Sequence, residues 1–294
     1  MLGIGPAPKP YRLLAAVPCR AGPGSSRVAW PGARAPDGLA GRIGRSRRVR
    51  APAYHCRVRA PADLARCFAL VPCAGVGARA GLGAPKQYAR IAGRSLVAHT
   101  LSALAQVPRL HATLVVLAPH DAQFDAAAGA AAQSAWVAHC GGATRAATVA
   151  NGLAELQQRG ARDDDWVLVH DAARCLLRPA WVERLIDACL GDEVGGLLAL
   201  PLADTLKHAA AGRAQCTLAR SDKWAAQTPQ MFRLGLLRRA LAQAGPEVTD
   251  EASAVEALGL RPLLVPGELE NFKITWPADL DLAGRLLRTR ANAP

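Results

Sequence analysis

From Phe68 onward, short apolar runs of strand length alternate with longer stretches of helical period, and no other feature constrains the fold as strongly. Strands are expected at 68–71, 113–118, 136–138, 166–170, 196–200, 263–265 and 272–275. Helices are expected over 95–106, 122–133, 145–157, 180–190, 234–243, 251–258 and 277–287, the last opened by Pro277 with Asp279 and Asp281 in its first turn. Such alternation implies one α/β domain with a mainly parallel sheet. Sites in these sheets form beyond the C-terminal ends of strands. Three polar clusters lie just there, at 74–86, 171–174 and 204–207. The polar segment 201–227 breaks the rhythm and reads as an arm projecting from the domain, either a flap over the site or a dimer contact.

The first cluster follows the run Leu70-Val71-Pro72-Cys73, which ends in Ala74, Gly75 and Gly77. Glycines there let the chain turn sharply and approach a ligand, and Arg79 and Lys86 suit a polyanion such as a nucleoside triphosphate. The P-loop pattern Gly-x-x-x-x-Gly-Lys-Ser/Thr is absent from this turn. Gly75, Gly77 and Ala80 satisfy the dinucleotide fingerprint loosely, so a dehydrogenase competes at this point. Two cations crowding the turn argue against it.

The formal charge of +13 suggests nucleic acid, but its distribution argues otherwise. Residues 1–67 carry twelve arginines and one lysine against Asp37 and Asp63, or +11, which leaves +2 for residues 68–294. That front segment holds nine of the 21 prolines and no sustained apolar period. It reads as a disordered basic extension outside the fold, or as the product of a start placed too far upstream. An organellar transit peptide is the lesser reading. Tyr11, Trp30 and Tyr54 are too scattered for a nucleic-acid stacking platform. There is no secretory signal and no run of about 18 apolar residues to span a membrane, so a cytoplasmic protein is expected. The eight cysteines show no Cys-x-x-Cys or Cys/His ligand spacing, which disfavours zinc and favours reduced, mostly buried thiols. His170, on a strand, is expected to be packed rather than catalytic.

Further segments join the first motif in order: Gly141-Gly-Ala-Thr-Arg-Ala-Ala-Thr-Val, Val169-His-Asp-Ala-Ala-Arg174, Pro201-Leu-Ala-Asp-Thr-Leu-Lys207, Gln227-Thr-Pro-Gln230, Thr249-Asp-Glu-Ala-Ser253 and Asn271-Phe-Lys-Ile-Thr275. Together, over residues 68–288, they resemble the 2-C-methyl-D-erythritol 4-phosphate cytidylyltransferases of the non-mevalonate isoprenoid pathway. The resemblance implies a Rossmann-like nucleotidyltransferase fold, with a cytidylyltransferase domain over 68–294. It further implies a homodimer whose arms, at about 201–227, embrace the neighbouring subunit. The implied reaction joins CTP and methylerythritol phosphate, with Mg²⁺ or another divalent cation, and releases pyrophosphate. No nucleic-acid or membrane partner is implied.

Carried over residue by residue, the resemblance makes Arg79 and Lys86 stabilisers of the triphosphate in the transition state. Pro72, Ala74, Gly75 and Gly77 belong to the CTP turn, and Gly141, Gly142 and Thr148 to the segment that reads cytosine. Asp171 is expected to orient hydroxyls or help hold Mg²⁺. Arg174, Thr205, Arg220, Thr228 and Lys273 match substrate-positioning residues, with Arg220 and Lys273 counted among the catalytic cations. Thr205 and Arg220 are expected to reach the partner's site from the arm. Asp250 and Glu251 are more expected to cap the following helix than to act chemically.

Two departures stand out. Cys175 replaces the proline that usually follows Asp-Ala-Ala-Arg and is expected to loosen one turn; Ala203 replaces a common arginine before Asp204. A ribitol 5-phosphate cytidylyltransferase and a non-catalytic nucleotide-binding module remain the alternatives. A fused cyclodiphosphate synthase is not expected, because the chain ends soon after Leu287.

Overall fold

The computed structural model describes residues 65–75, 85–245 and 248–291. The basic extension up to residue 64, and Gly77 and Arg79 of the first motif, lie outside the described residues. Seven strands form the main sheet: β1 (Cys67–Pro72), β4 (Leu110–Val116), β5 (Trp136–Ala138), β6 (Trp166–Val169), β7 (Gly195–Pro201), β10 (Trp224–Arg233) and β11 (Leu263–Pro266). Their order is β11-β7-β10-β6-β1-β4-β5. Every pairing is parallel except those of β10, which runs antiparallel to both β6 and β7. The expected mainly parallel sheet is therefore present, with one reversed strand. Two small hairpins stand apart from it, β2 (Arg90–Ile91) with β3 (Arg94–Ser95), and β8 (Leu206–Ala210) with β9 (Arg213–Leu218).

Helices cover both faces. Because strand side chains alternate, β1 sends Cys67, Ala69 and Val71 to one side and Phe68 and Leu70 to the other. The first set packs with Val97, Leu101 and Leu104 of α1 (Leu96–Leu104) and with Trp181, Val182, Leu185 and Ile186 of α4 (Pro179–Cys189). The second packs with α3 (Arg145–Gln158), α5 (Leu234–Gln243) and α6 (Glu251–Glu256). Burial on both faces explains why the central strands read as continuous apolar runs. α7 (Pro277–Ala291) packs through Leu280, Ala283 and Leu286 on a satellite cluster with Ile91, Leu96 and Ile274.

Three expectations are corrected. The helix expected over 122–133 is a short α2 (Phe124–Ala128) followed by a 3-10 turn (Gly129–Ser134), broken where Gly129 adopts φ 54°. The strand expected at 272–275 does not form: this segment joins no sheet pairing among the described residues and is held instead by Ile274 N–H donating to Ala173 O at 2.9 Å. Cys175 does not loosen its turn, since the thiol packs in the satellite cluster and Arg174 N–H still donates to Asp171 O at 2.9 Å.

The arm is visible as the β8–β9 hairpin, carried on the paired ends of β7 and β10 at Pro201 and Trp224. Nearly all of it is exposed, including Leu218 and Trp224. Among the described cysteines Cys67, Cys73, Cys175 and Cys189 are buried, and burial pushes the last three thiols up to about 12. No helix among the described residues is long and apolar enough to cross a membrane.

Candidate active site

A cleft of about 500 Å³ opens above the C-terminal ends of β1 and β6. Its wall includes Pro72, Ala74 and Gly75 from the first motif, Lys86 and Gln87 from the following turn, and Gly142 and Thr148 beside α3. Asp171 and Lys273 complete its lining. Segments that are far apart in sequence therefore converge where a parallel sheet places its ligands.

Local bonds shape the floor. Gln87 Nε2 donates to Cys73 O and Gly75 O, each at 3.0 Å, and so fixes the peptide run that ends β1. Tyr88 Oη donates to Asp121 Oδ2 at 2.6 Å, which anchors the short 3-10 turn carrying Lys86. Gly141 meets the floor closely: a Cβ there would lie 2.4 Å from Ala74 Cβ and 2.6 Å from Leu117 O. Its N–H donates to Leu117 O at 2.7 Å, so β4, β5 and the glycine turn pack together at one point. Thr148 Oγ1 accepts from Gly142 N–H at 3.1 Å and donates to Thr144 O at 2.9 Å, holding the loop over the first turn of α3. Thr144 caps that helix by accepting from Ala147 N–H at 3.0 Å.

The electrostatics centre on Asp171. Its Oδ1 receives Arg145 Nε at 2.9 Å and its Oδ2 receives Lys273 Nζ at 2.7 Å. Burial alone would raise this carboxyl, but Arg145 and then Lys273 hold it well below the ordinary carboxylate range. Arg145 also forks onto Glu251, Nη1 to Oε1 at 2.6 Å and Nη2 to Oε2 at 3.1 Å. Burial pulls the guanidinium down, and Glu251 and Asp171 more than reverse that, leaving it a firmly held cation. Burial raises the Glu251 carboxyl despite Arg145. Lys86 Nζ donates to Ile274 O at 3.0 Å, beside Lys273.

Several expected residues stand elsewhere. Thr228 is buried behind the cleft: its Oγ1 receives Asp171 N–H at 3.1 Å and meets His170 Nδ1 at 3.0 Å. Arg174 spends its guanidinium on Asn271 O at 2.6 Å and Ala226 O at 3.3 Å rather than on the cleft wall. Thr205 and Arg220 lie exposed along the arm and do not line this cleft. His170 is fully buried, as expected of a packed residue, and burial pushes its imidazole down to about 4. Asp250 does cap α6, accepting from Ser253 N–H at 2.9 Å, whereas Glu251 is instead the partner of Arg145.

Among the wall residues, Arg145 and Gln87 were not singled out from sequence. Arg145 sat within the Gly141–Val149 motif with no role, and the acidic pair at 250–251 was its only hint. Gln87 adjoins Lys86 and carries no charge to draw notice.

The donor set also bears on a metal. Among the described residues no group of three His, Cys, Asp or Glu side chains could hold an ion by itself. Asp171 presents one carboxylate, each oxygen already carrying one cationic donor and keeping a lone pair. That suits Mg²⁺ taking most of its ligands from phosphates and water, and does not suit an all-protein cage.

Residues 67–289 match the family model described as IspD: 2-C-methyl-D-erythritol 4-phosphate cytidylyltransferase. A bifunctional enzyme IspD/IspF of Albidiferax ferrireducens is 60% identical over 227 residues, covering 77% of this chain and 54% of that protein, so the chain spans about half of it. A 2-C-methyl-D-erythritol 4-phosphate cytidylyltransferase of Paraburkholderia phytofirmans is 52% identical over 235 residues, covering 78% of this chain and 98% of that one. Among solved structures, a 4-diphosphocytidyl-2C-methyl-D-erythritol synthase superposes with a TM-score of 0.69 at 43% identity, over 76% of this chain and 99% of its own.

Proposed function

The chain belongs to the 2-C-methyl-D-erythritol 4-phosphate cytidylyltransferase family, and we propose that it transfers CMP from CTP to 2-C-methyl-D-erythritol 4-phosphate, releasing pyrophosphate. The observation that carries this reading is the cleft itself, in which Lys273 and Arg145 converge on Asp171 while Lys86 lines the same wall beside the glycine turn.

A phosphate oxygen of the acceptor attacks the α-phosphorus of CTP, the new O–P bond forms, and the bond to the β-phosphate oxygen breaks in line. The attacking phosphate is largely dianionic at neutral pH, its second pKa being about 6, so no general base is required. The barrier is one of bringing two anions together and neutralising charge that grows on the transferring group. Lys86 meets that charge from the triphosphate side, a role that the family resemblance gives to Arg79 as well; Lys273, steadied by Asp171, meets it from the acceptor side. Gly141, Gly142 and Thr148 bring backbone close enough to read the cytosine edge. Mg²⁺ held by phosphates, water and Asp171 would withdraw negative charge from the triphosphate.

The working unit in this reading is a homodimer, with Thr205 and Arg220 of one arm completing the partner's cleft, in the cytoplasm. The catalytic domain is 68–294 together with the short lead-in that carries Arg66 and Cys67, and the basic extension up to residue 64 is dispensable for it. Neither ribitol 5-phosphate as acceptor nor a role in binding alone is favoured by the family match. The test is a coupled pyrophosphate assay with CTP, Mg²⁺ and each polyol phosphate in turn. Release with methylerythritol phosphate is expected; release with ribitol phosphate alone would overturn the substrate, and release with neither would overturn the activity.

A further inference from the structure

Asp171 stands on a turn closed by Arg174 N–H donating to Asp171 O at 2.9 Å. Behind that turn lie two buried side chains that do not touch the cleft, Thr228 on β10 and His170 at the end of β6. Their hydrogen bonds admit one consistent direction. The backbone N–H of Asp171 can only donate, so Thr228 Oγ1 accepts it at 3.1 Å. The Thr228 hydroxyl proton is then free for His170 Nδ1, 3.0 Å away, which must be the unprotonated nitrogen. His170 Nε2 must carry the proton, because the atom facing it at 3.3 Å is the carbonyl oxygen of Arg174. The relay starts at the first amide of the turn and ends at its last carbonyl.

We propose that His170, acting through Thr228, is a positioning residue that fixes the 171–174 turn and thereby the Asp171 carboxylate on which Lys273 and Arg145 converge. The pair grips both ends of a four-residue turn, and the carboxylate of its first residue has its two oxygens committed to different cations. A small rotation of the turn therefore moves both cations relative to the cleft. A packed core histidine with no such role would have no reason to bond both ends of the turn. The catalytic part of this proposal rests on the nucleotidyltransferase reading given above; the hydrogen-bond part does not.

The experiment compares wild type with His170→Leu, His170→Asn, Thr228→Val and the Leu/Val double variant, in the pyrophosphate assay and in thermal melts. His170→Leu is expected to lower kcat by about 10- to 100-fold with KM for CTP changed far less, as misplacement of catalytic groups does. His170→Asn, whose Oδ1 takes the place of Nδ1 for the Thr228 hydroxyl, should recover part of that loss. The double variant should be no worse than the poorer single one, because one relay is broken once. A His170→Leu protein that melts like wild type and turns over within about twofold of it would overturn the proposal, as would multiplying losses in the double variant. The ¹⁵N shifts of His170 in the wild-type protein at neutral pH provide a readout independent of turnover. They should report Nδ1 bare and Nε2 protonated, and the opposite tautomer would overturn the proposal. Absence of any turnover in the wild type would instead defeat the nucleotidyltransferase reading, and the tautomer would still decide the relay. If His170→Leu does not fold, the Asn variant and the tautomer decide it.

Discussion

Replacing Arg145 with methionine removes a cation that contacts both buried carboxylates, Asp171 and Glu251. The side chain of Glu251 is 1% exposed, that of Asp171 10% and that of Arg145 28%. At an effective dielectric near 20, each close pair is worth about 4 kcal/mol before desolvation is charged against it. Methionine keeps most of the packing volume, so the chief loss is the uncompensated acid. Breaking such a pair from one side costs about 3–5 kcal/mol, and the partial exposure of Arg145 places this case toward the lower end. For a domain of this size that is a fall in Tm of roughly 6–12 °C. The cost should depend on pH in a definite sense. Burial already raises the Glu251 carboxyl above its ordinary 4.5, and losing Arg145 removes what lowers it, so it rises further. A carboxyl whose folded pKa is raised keeps its proton in the folded state after the unfolded chain has lost it. Stability therefore falls as pH rises from about 4.5 through that raised value, and levels off above it. Urea titrations of wild type and Arg145→Met at pH 5 and pH 7.5 test this directly. The difference should be small at pH 5 and near its full value at pH 7.5. Equal differences at the two pH values, or a loss below about 1 kcal/mol at pH 7.5, would show that Arg145 does not neutralise Glu251.

Lys86→Ala should reduce turnover by about 10²- to 10³-fold, the scale of losing one group that meets developing charge, while the melting temperature stays near that of wild type. Near-normal turnover would remove Lys86 from the chemistry. Gly141→Ala forces a Cβ to within 2.4 Å of Ala74 Cβ and 2.6 Å of Leu117 O, and the latter is backbone that cannot swing aside. It should cost about 1–3 kcal/mol and raise KM for CTP, measured by chemical denaturation and steady-state kinetics. A version beginning at Ala65 should fold and turn over as the full chain does. One beginning at Phe68 should be destabilised, because it deletes Arg66, whose N–H and guanidinium donate to Asp165 at 2.8 and 2.6 Å. Equal stability of the two versions would contradict that pairing.

The central strands were legible because burial on both faces leaves an apolar run with sharp ends, as in Phe68–Val71 and Trp166–Val169. β10 was not. Gln227, Pro229 and Gln230 make its middle read as loop, and proline ordinarily argues against an inner strand. The structure accommodates Pro229 where the register with β7 shifts between Ala226 and Gln230, so its missing N–H interrupts no ladder. The segment 272–275 failed in the opposite way. Phe272 and Ile274 alternate with polar residues as a strand would, but alternation reports only that one face is buried. Here that burial is supplied by the satellite cluster under α7 instead of by a sheet. At the site, the glycine turn and the cations Lys86 and Lys273 were readable from motifs. The Arg145–Glu251 fork joins positions 106 apart in sequence, and no local pattern announces a tertiary ion pair.

The acids in a cleft proposed to bind anions raise a question of sign. Asp171 repels a triphosphate, yet it sits where Lys273 and Arg145 meet. The arrangement makes sense if the carboxylate trades affinity for order: it holds two long, flexible cations in place before any substrate arrives, so that less ordering remains for the transition state. Asp171→Asn separates the two effects. Metal-free CTP should bind as tightly as to wild type or up to about tenfold tighter, since one repulsive charge is gone. Turnover should nonetheless fall by about 100-fold, since Lys273 is no longer fixed. Isothermal titration without divalent ion and steady-state assay with Mg²⁺ give the two numbers. If metal-free CTP binds more weakly to the variant in proportion to the lost turnover, Asp171 contributes to binding the nucleotide itself, and the ordering argument fails.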